Sequence, residues 1–142
     1  MDETPGGRAA GPAPRRPVLF CVDDDPQVLR AIRADLRERY GEEYRVVGAT
    51  RTAEARQLLQ EFELRREDVA LFLVDQRMPE MTGIEFLRAL RGSGDTTPFC
   101  FVTSEGSEEM RTMANEAGAL GLIAKPFTED AFRDTLASVV PS

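Results

Sequence analysis

The 142-residue chain contains no histidine and only two cysteines. Lack of histidine removes the commonest general base and the commonest zinc ligand, so catalytic triads and zinc sites are largely excluded. Cys21 and Cys100 each sit inside an apolar run, where a thiol behaves as a small hydrophobe. No hydrophobic run approaches the length needed to cross a bilayer, so no membrane span is expected. Basic charge is also scarce: 18 Lys and Arg stand against 25 Asp and Glu, a formal net charge of −7. That sign opposes nonspecific attraction to nucleic acid or anionic lipid and favours a protein partner or a cation.

What remains, 42% hydrophobic and 30% charged residues, is the composition of a soluble globular protein, and the length is one domain's worth of chain. The opening MDETPGGRAAGPAPRRP is rich in Gly, Ala and Pro and lacks the apolar middle of a secretory signal. Residues 1–16 read as a disordered leader on a cytoplasmic protein and residues 17–140 as the folded domain, with no space for an effector domain.

From Val18 onward, short apolar runs alternate with segments of helical period. Strands are expected at Val18 to Val22, Tyr44 to Ala49, Val69 to Val74, Phe99 to Val102 and Leu120 to Ala124. Between them, Leu29, Ile32 and Leu36 share a helix face, as do Ala55, Leu58, Leu59 and Phe62, then Ile84, Leu87 and Leu90, then Met110, Met113, Ala114 and Ala117, and finally Phe132, Leu136 and Val139. Thr128 fits an N-cap, with Phe127 stapling onto Phe132. Gly41 reads as a helix stop and Gly92 to Pro98 as a loop. Strands apolar on both faces, joined by crossovers long enough for a helix, predict a doubly wound α/β sandwich around a parallel sheet.

In such a sheet all strands present their C-terminal ends at one edge, where ligands bind. Here those ends carry Asp23-Asp24-Asp25-Pro26, Asp75, Thr103-Ser104 and Lys125-Pro126. Asp25 before Pro26 is an ordinary N-cap followed by proline at the first helical position. Asp23 and Asp24 are not explained by it, because adjacent carboxylates raise each other's pKa unless a cation gathers them. Taken singly, Asp75 is adequately explained as a turn residue, Thr103 as a strand residue and Lys125 as a solvated strand end. Together they form a coherent set: oxygen ligands for magnesium, a carboxylate to attack phosphorus, and a hydroxyl and an ammonium to hold phosphoryl oxygens.

The segments VLFCVDDDP, LFLVDQRMPEMTG, FVTS and GLIAKPF, in this order and at these intervals, closely resemble the receiver domains of two-component response regulators. The resemblance covers Pro17 to Val140. It implies a flavodoxin-like five-stranded parallel sheet of order 2-1-3-4-5 with helices on both faces, and places Asp75 at the phosphoacceptor position. It further implies that Asp24 ligates Mg2+ directly, that Asp23 does so partly through water, and that Arg77 offers its backbone carbonyl. Thr103 matches the switch hydroxyl, followed by Ser104, and Lys125 matches the phosphate-binding lysine, whose bond to Pro126 is usually cis in such domains. With that strand order, Cys21 and Cys100 lie about 9 to 10 Å apart, beyond disulfide reach. The chain departs from the family pattern at Leu122, where an aromatic ring is usual; leucine lacks its size and polar tip.

The resemblance therefore implies a signalling switch rather than a metabolic enzyme. A histidine kinase or phosphotransfer protein would donate to Asp75, because this chain has no histidine of its own, and an output protein would read the change, phosphorylation-dependent dimerisation being one form of output. Arg77 and Glu105, two residues beyond Asp75 and Thr103, would form an ion pair that shields the phosphoryl group from water and slows its loss, or both would simply be solvated. Two other readings compete. One is a degenerate receiver that acts as a phosphorylation-independent binding module, which Leu122 keeps open. The other is an aspartyl-nucleophile phosphohydrolase of the haloacid dehalogenase type, which would need an acid where Arg77 stands.

Overall fold

The structure is a computed structural model that describes residues 16–141. The expected disordered leader therefore lies outside the described residues except for Arg16, whose guanidinium donates to the Gly41 carbonyl. Elements alternate along the chain as β1 (Val18–Val22), α1 (Pro26–Tyr40), β2 (Arg45–Ala49), α2 (Thr52–Arg65), β3 (Val69–Val74), α3 (Gly83–Gly92), β4 (Phe99–Thr103), α4 (Glu108–Glu116), β5 (Gly121–Ala124) and α5 (Glu129–Val139). All strand pairs are parallel and the sheet order is β2-β1-β3-β4-β5, as the resemblance implied.

The strands' period of two sorts their side chains into two cores. Phe20, Val22, Phe72, Val74, Phe99 and Phe101 face α2, α3 and α4, whereas Leu19, Cys21, Leu71, Leu73, Cys100 and Val102 face α1 and α5. Register places Leu73 of β3 between Cys21 and Cys100. Both thiols are free and buried, and burial pushes each up to about 12, so they stay protonated packing groups.

Helix ends follow local chemistry. Asp25 caps α1 by accepting from the Gln27 N–H at 2.9 Å, with Pro26 at the first helical position. Thr128 caps α5 through the Ala131 N–H at 3.0 Å, and the Phe127 ring stacks on Phe132 with centroids 4.7 Å apart. Helix α1 does stop at Gly41, whose N–H closes on the Arg37 carbonyl with φ in the right-handed region.

Several boundaries and faces differ from expectation. Tyr44 precedes β2 because its N–H closes a turn onto Tyr40 at 2.8 Å, and Gly92 is the last residue of α3 rather than the first of a loop. β4 runs on to Thr103, and β5 starts at Gly121, leaving Leu120 58% exposed. Met113 is 38% exposed although Met110 and Ala114 are buried, because only a narrow arc of the short α4 meets the sheet.

Candidate phosphoryl site at the carboxyl edge of the sheet

The parallel ladder continues one residue past several strands and thereby sets the site. The N–H of Asp23 donates to Ala49 O at 3.1 Å, that of Asp75 to Val22 O at 2.9 Å, and that of Lys125 to Thr103 O at 2.8 Å. Each backbone group so held points the following polar chemistry toward one edge, and the side chains converge there. Oxygen atoms of Asp23, Asp24 and Asp75 all lie within 4.8 Å of one another. Asp23, Asp75 and Thr103 are buried, and Asp24 is exposed.

Lys125 bridges the acids. Its Nζ donates to Asp23 Oδ2 at 2.8 Å and to Asp75 Oδ2 at 3.4 Å, and its peptide bond to Pro126 is cis. Burial drives the Asp23 carboxyl above the usual carboxylate range, partly offset by its bonds from Lys125 and the Asp25 N–H. For Lys125, burial works against the charge, but the bonds and fields of Asp23 and Asp75 outweigh it and raise the ammonium above its usual value. Lys125 is thus cationic at neutral pH, and it is the counter-charge that lets two buried acids face each other.

The donor set fits a hard divalent cation. All three acids offer oxygen, the preference of magnesium, and the exposed Asp24 leaves an approach from solvent. Asp23 spends one lone pair of each oxygen, on the Asp25 N–H at 3.0 Å and on Lys125, which leaves further lone pairs for a metal or its water.

Around this centre, Thr103 Oγ1 accepts the Glu105 N–H at 3.2 Å rather than bonding any of the three acids. Arg77 donates its backbone N–H to Asp75 Oδ1 at 3.4 Å, and its side chain reaches Glu105 Oε1 at 3.3 Å. The sequence left open an ion pair or two solvated side chains, and here the two side chains form an ion pair. It is a wet one, with Arg77 72% and Glu105 35% exposed. Ser104 is exposed, and the half-buried Leu122 lies opposite Phe101 in register and packs on the α2, α3 and α4 side of the core.

Two contacts beside the acceptor were not foreseen from the sequence, although Gln76 itself stood out there, with Arg77, as a neighbour that sets phosphoryl lifetime. Gln76, next to Asp75, is buried and accepts the Ile84 N–H through Oε1 at 2.9 Å, and Gly83 brings α3 against the Asp75 backbone. A Gln next to the strand-ending Asp75 and a Gly before the apolar helix stripe were the available signals. Neither carries a length-scale that reveals they meet.

Comparison with known proteins agrees with this fold. The chain is 33% identical over 124 residues to a chemotaxis protein CheY homolog of Campylobacter jejuni, covering 86% of this chain and 91% of that protein. It is 33% identical over 127 residues to the hydrogenase transcriptional regulatory protein HoxA of Cupriavidus necator, covering 89% of this chain but 24% of HoxA. It thus spans about a quarter of that regulator's length. The solved structure of Vibrio cholerae chemotaxis protein CheY4 superposes with a TM-score of 0.73 at 27% identity, covering 89% of this chain and all of that one. The family model for the response regulator receiver domain matches residues 19–137, and the chain belongs to that family.

Proposed function

We propose that Asp75 is the phosphoacceptor of this receiver, within a functional unit of residues 17–140. The observation that carries the reading is the Lys125 ammonium bridging Asp23 and Asp75 at 2.8 and 3.4 Å beside a third acid, Asp24. An Asp75 carboxylate oxygen attacks the phosphorus of a phosphohistidine on a histidine kinase or phosphotransfer protein. The new O–P bond forms as the P–N bond breaks, and the departing imidazole nitrogen keeps the electron pair and takes up a proton. Little covalent assistance is needed in such a transfer, so positioning and charge carry the catalysis.

Asp23, Asp24, Asp75 and the Arg77 carbonyl are the residues that would hold Mg2+, which when bound neutralises charge on the transferred oxygens. Lys125 holds one phosphoryl oxygen, trading its contact with Asp75 for one to the new dianion. The Thr103 hydroxyl gives up the Glu105 N–H and donates to another oxygen, drawing the β4–α4 connection with it. The phosphoryl group carries about −1.5 to −2 in place of the carboxylate's own charge of about −1, and this change in charge biases the surface around α4 and β5, which an output protein reads. With leucine at position 122, this movement is transmitted by the backbone of that connection and by packing against Phe101 rather than by a turning ring. The domain acts as a cytoplasmic signalling switch that catalyses only its own phosphorylation and hydrolysis, and the whole chain's charge of −7 argues against direct nucleic-acid binding.

Intact-mass measurement after incubation with acetyl phosphate and magnesium tests the reading. Wild type is expected to gain one phosphoryl group, Asp75→Asn none, and wild type with chelator none. If wild type gains nothing and gives no spectral response to beryllofluoride with magnesium, the domain is instead a phosphorylation-independent binding module.

A further inference from the structure

We propose that Gln76 is a positioning residue that locks the start of α3 to the acceptor strand and so fixes where Asp75 and the Arg77 backbone stand. The inference rests on the phosphoacceptor reading of Asp75 and concerns a residue to which that reading gives no role.

The first turn of any helix has N–H groups without partners inside the helix. In α3 two of them end on one residue. The Gly83 N–H donates to the Gln76 carbonyl at 3.0 Å, and the Ile84 N–H donates to Gln76 Oε1 at 2.9 Å. The third, from Glu85, goes to Thr82 Oγ1 at 3.2 Å. The Ile84 bond also assigns the amide, since only its oxygen can accept. Both Gln76 and Ile84 are buried, so water cannot replace the bond.

The contact is close as well as polar. A Cβ on Gly83 would stand 2.6 Å from the Asp75 carbonyl oxygen and 2.7 Å from Phe101 Cε1. A side chain there would push α3 off the acceptor's backbone. Residues 76–82 therefore form a loop whose two ends are clasped to each other, with Arg77 just inside the clasp and its N–H on Asp75 Oδ1. On its outer side the loop is tied again, by Thr52 Oγ1 to Glu80 Oε1 at 3.3 Å. Of these ties, the Gln76 amide is the one adjacent to the reacting carboxylate. Asparagine, one methylene shorter, cannot span the same gap, and methionine fills the space without a comparable acceptor.

Groups that orient a metal's ligands typically matter about 10- to 100-fold to affinity or activity when removed. Magnesium titration followed by the backbone amide signals of Asp75 and Arg77 is the direct test, with acetyl phosphate labelling as a second readout. Gln76→Met is expected to weaken magnesium binding about tenfold or more and to slow labelling in parallel, while hydrogen exchange at Ile84 accelerates. Phe132→Leu, on the opposite face, lowers stability and leaves magnesium affinity within about twofold of wild type, as expected of a distant site. Should Gln76→Met not fold, Gln76→Asn carries the same expectation. Faster exchange at Ile84 with unchanged magnesium affinity would overturn the inference alone. A wild type whose Asp75 and Arg77 signals ignore magnesium would overturn the phosphoacceptor reading and this inference with it.

Discussion

At the scale of single residues, the site is organised by one cation among acids. Lys125 lies 102 positions from Asp23 and 50 from Asp75 in the chain, yet touches both. Truncating it would leave two buried carboxylates facing each other without compensation. Arg77 is a different kind of charge: its pair with Glu105 is mostly hydrated, and such pairs are worth no more than about 1 kcal/mol. Arg77→Ala is therefore expected to speed loss of the phosphoryl group from Asp75 by at most about fivefold, through easier access of water. Following the decay of the labelled protein after donor removal checks this, and an unchanged rate would show that the pair does not shield the site. The charges themselves were legible in the sequence, because acids and a lysine at strand ends are visible as interruptions of apolar runs. The clasp by Gln76 was not, since an amide's partner eight residues away depends on how the loop folds back.

At the scale of elements, each helix that frames the site is started by its own cap, and α3 has the fullest one. Thr82 and Glu85 form a reciprocal capping box, with Glu85 Oε1 accepting the Thr82 N–H at 2.9 Å. The bond from the Thr82 backbone, then that from its hydroxyl, holds the Glu85 carboxyl below its ordinary value of 4.5. A lowered carboxyl contributes stability that is present above the unfolded pKa and lost as pH falls through the folded one. Glu85→Gln is thus expected to be less stable than wild type at neutral pH, with the difference fading once the pH drops below the Glu85 value. Urea midpoints of both proteins across that range decide it, and a gap that persists in acid would mean the charge is not what matters. Capping signals of this sort are readable from sequence because donor and acceptor are three residues apart. The exposure of Met113 was not readable, since helical period marks a face without stating how wide an arc the sheet covers.

At the scale of the whole molecule, the five strands stand between a layer built on phenylalanine and one built mainly on aliphatic side chains. Phe72 is central to the first, with ring centroids 5.8 Å from Phe20, 5.9 Å from Phe86 and 5.8 Å from Phe99. Phe72→Ala is expected to cost about 3–5 kcal/mol, a large part of the roughly 5–15 kcal/mol that holds a domain together. Chemical denaturation would measure it, and a loss below about 1 kcal/mol would mean that the layer collapses to fill the gap. Because Phe72 and Asp75 belong to one strand, the same layer that stabilises the fold also stiffens the acceptor's support. The order of elements, the two-faced burial of the strands and the identity of the polar residues at their ends were determined by sequence alone, since period and chain direction are local properties. Which of those residues meet was decided only by tertiary structure. Strand order and register bring Lys125 to Asp23 and Asp75, and loop closure brings Gln76 to Ile84, through contacts whose partners no local pattern names.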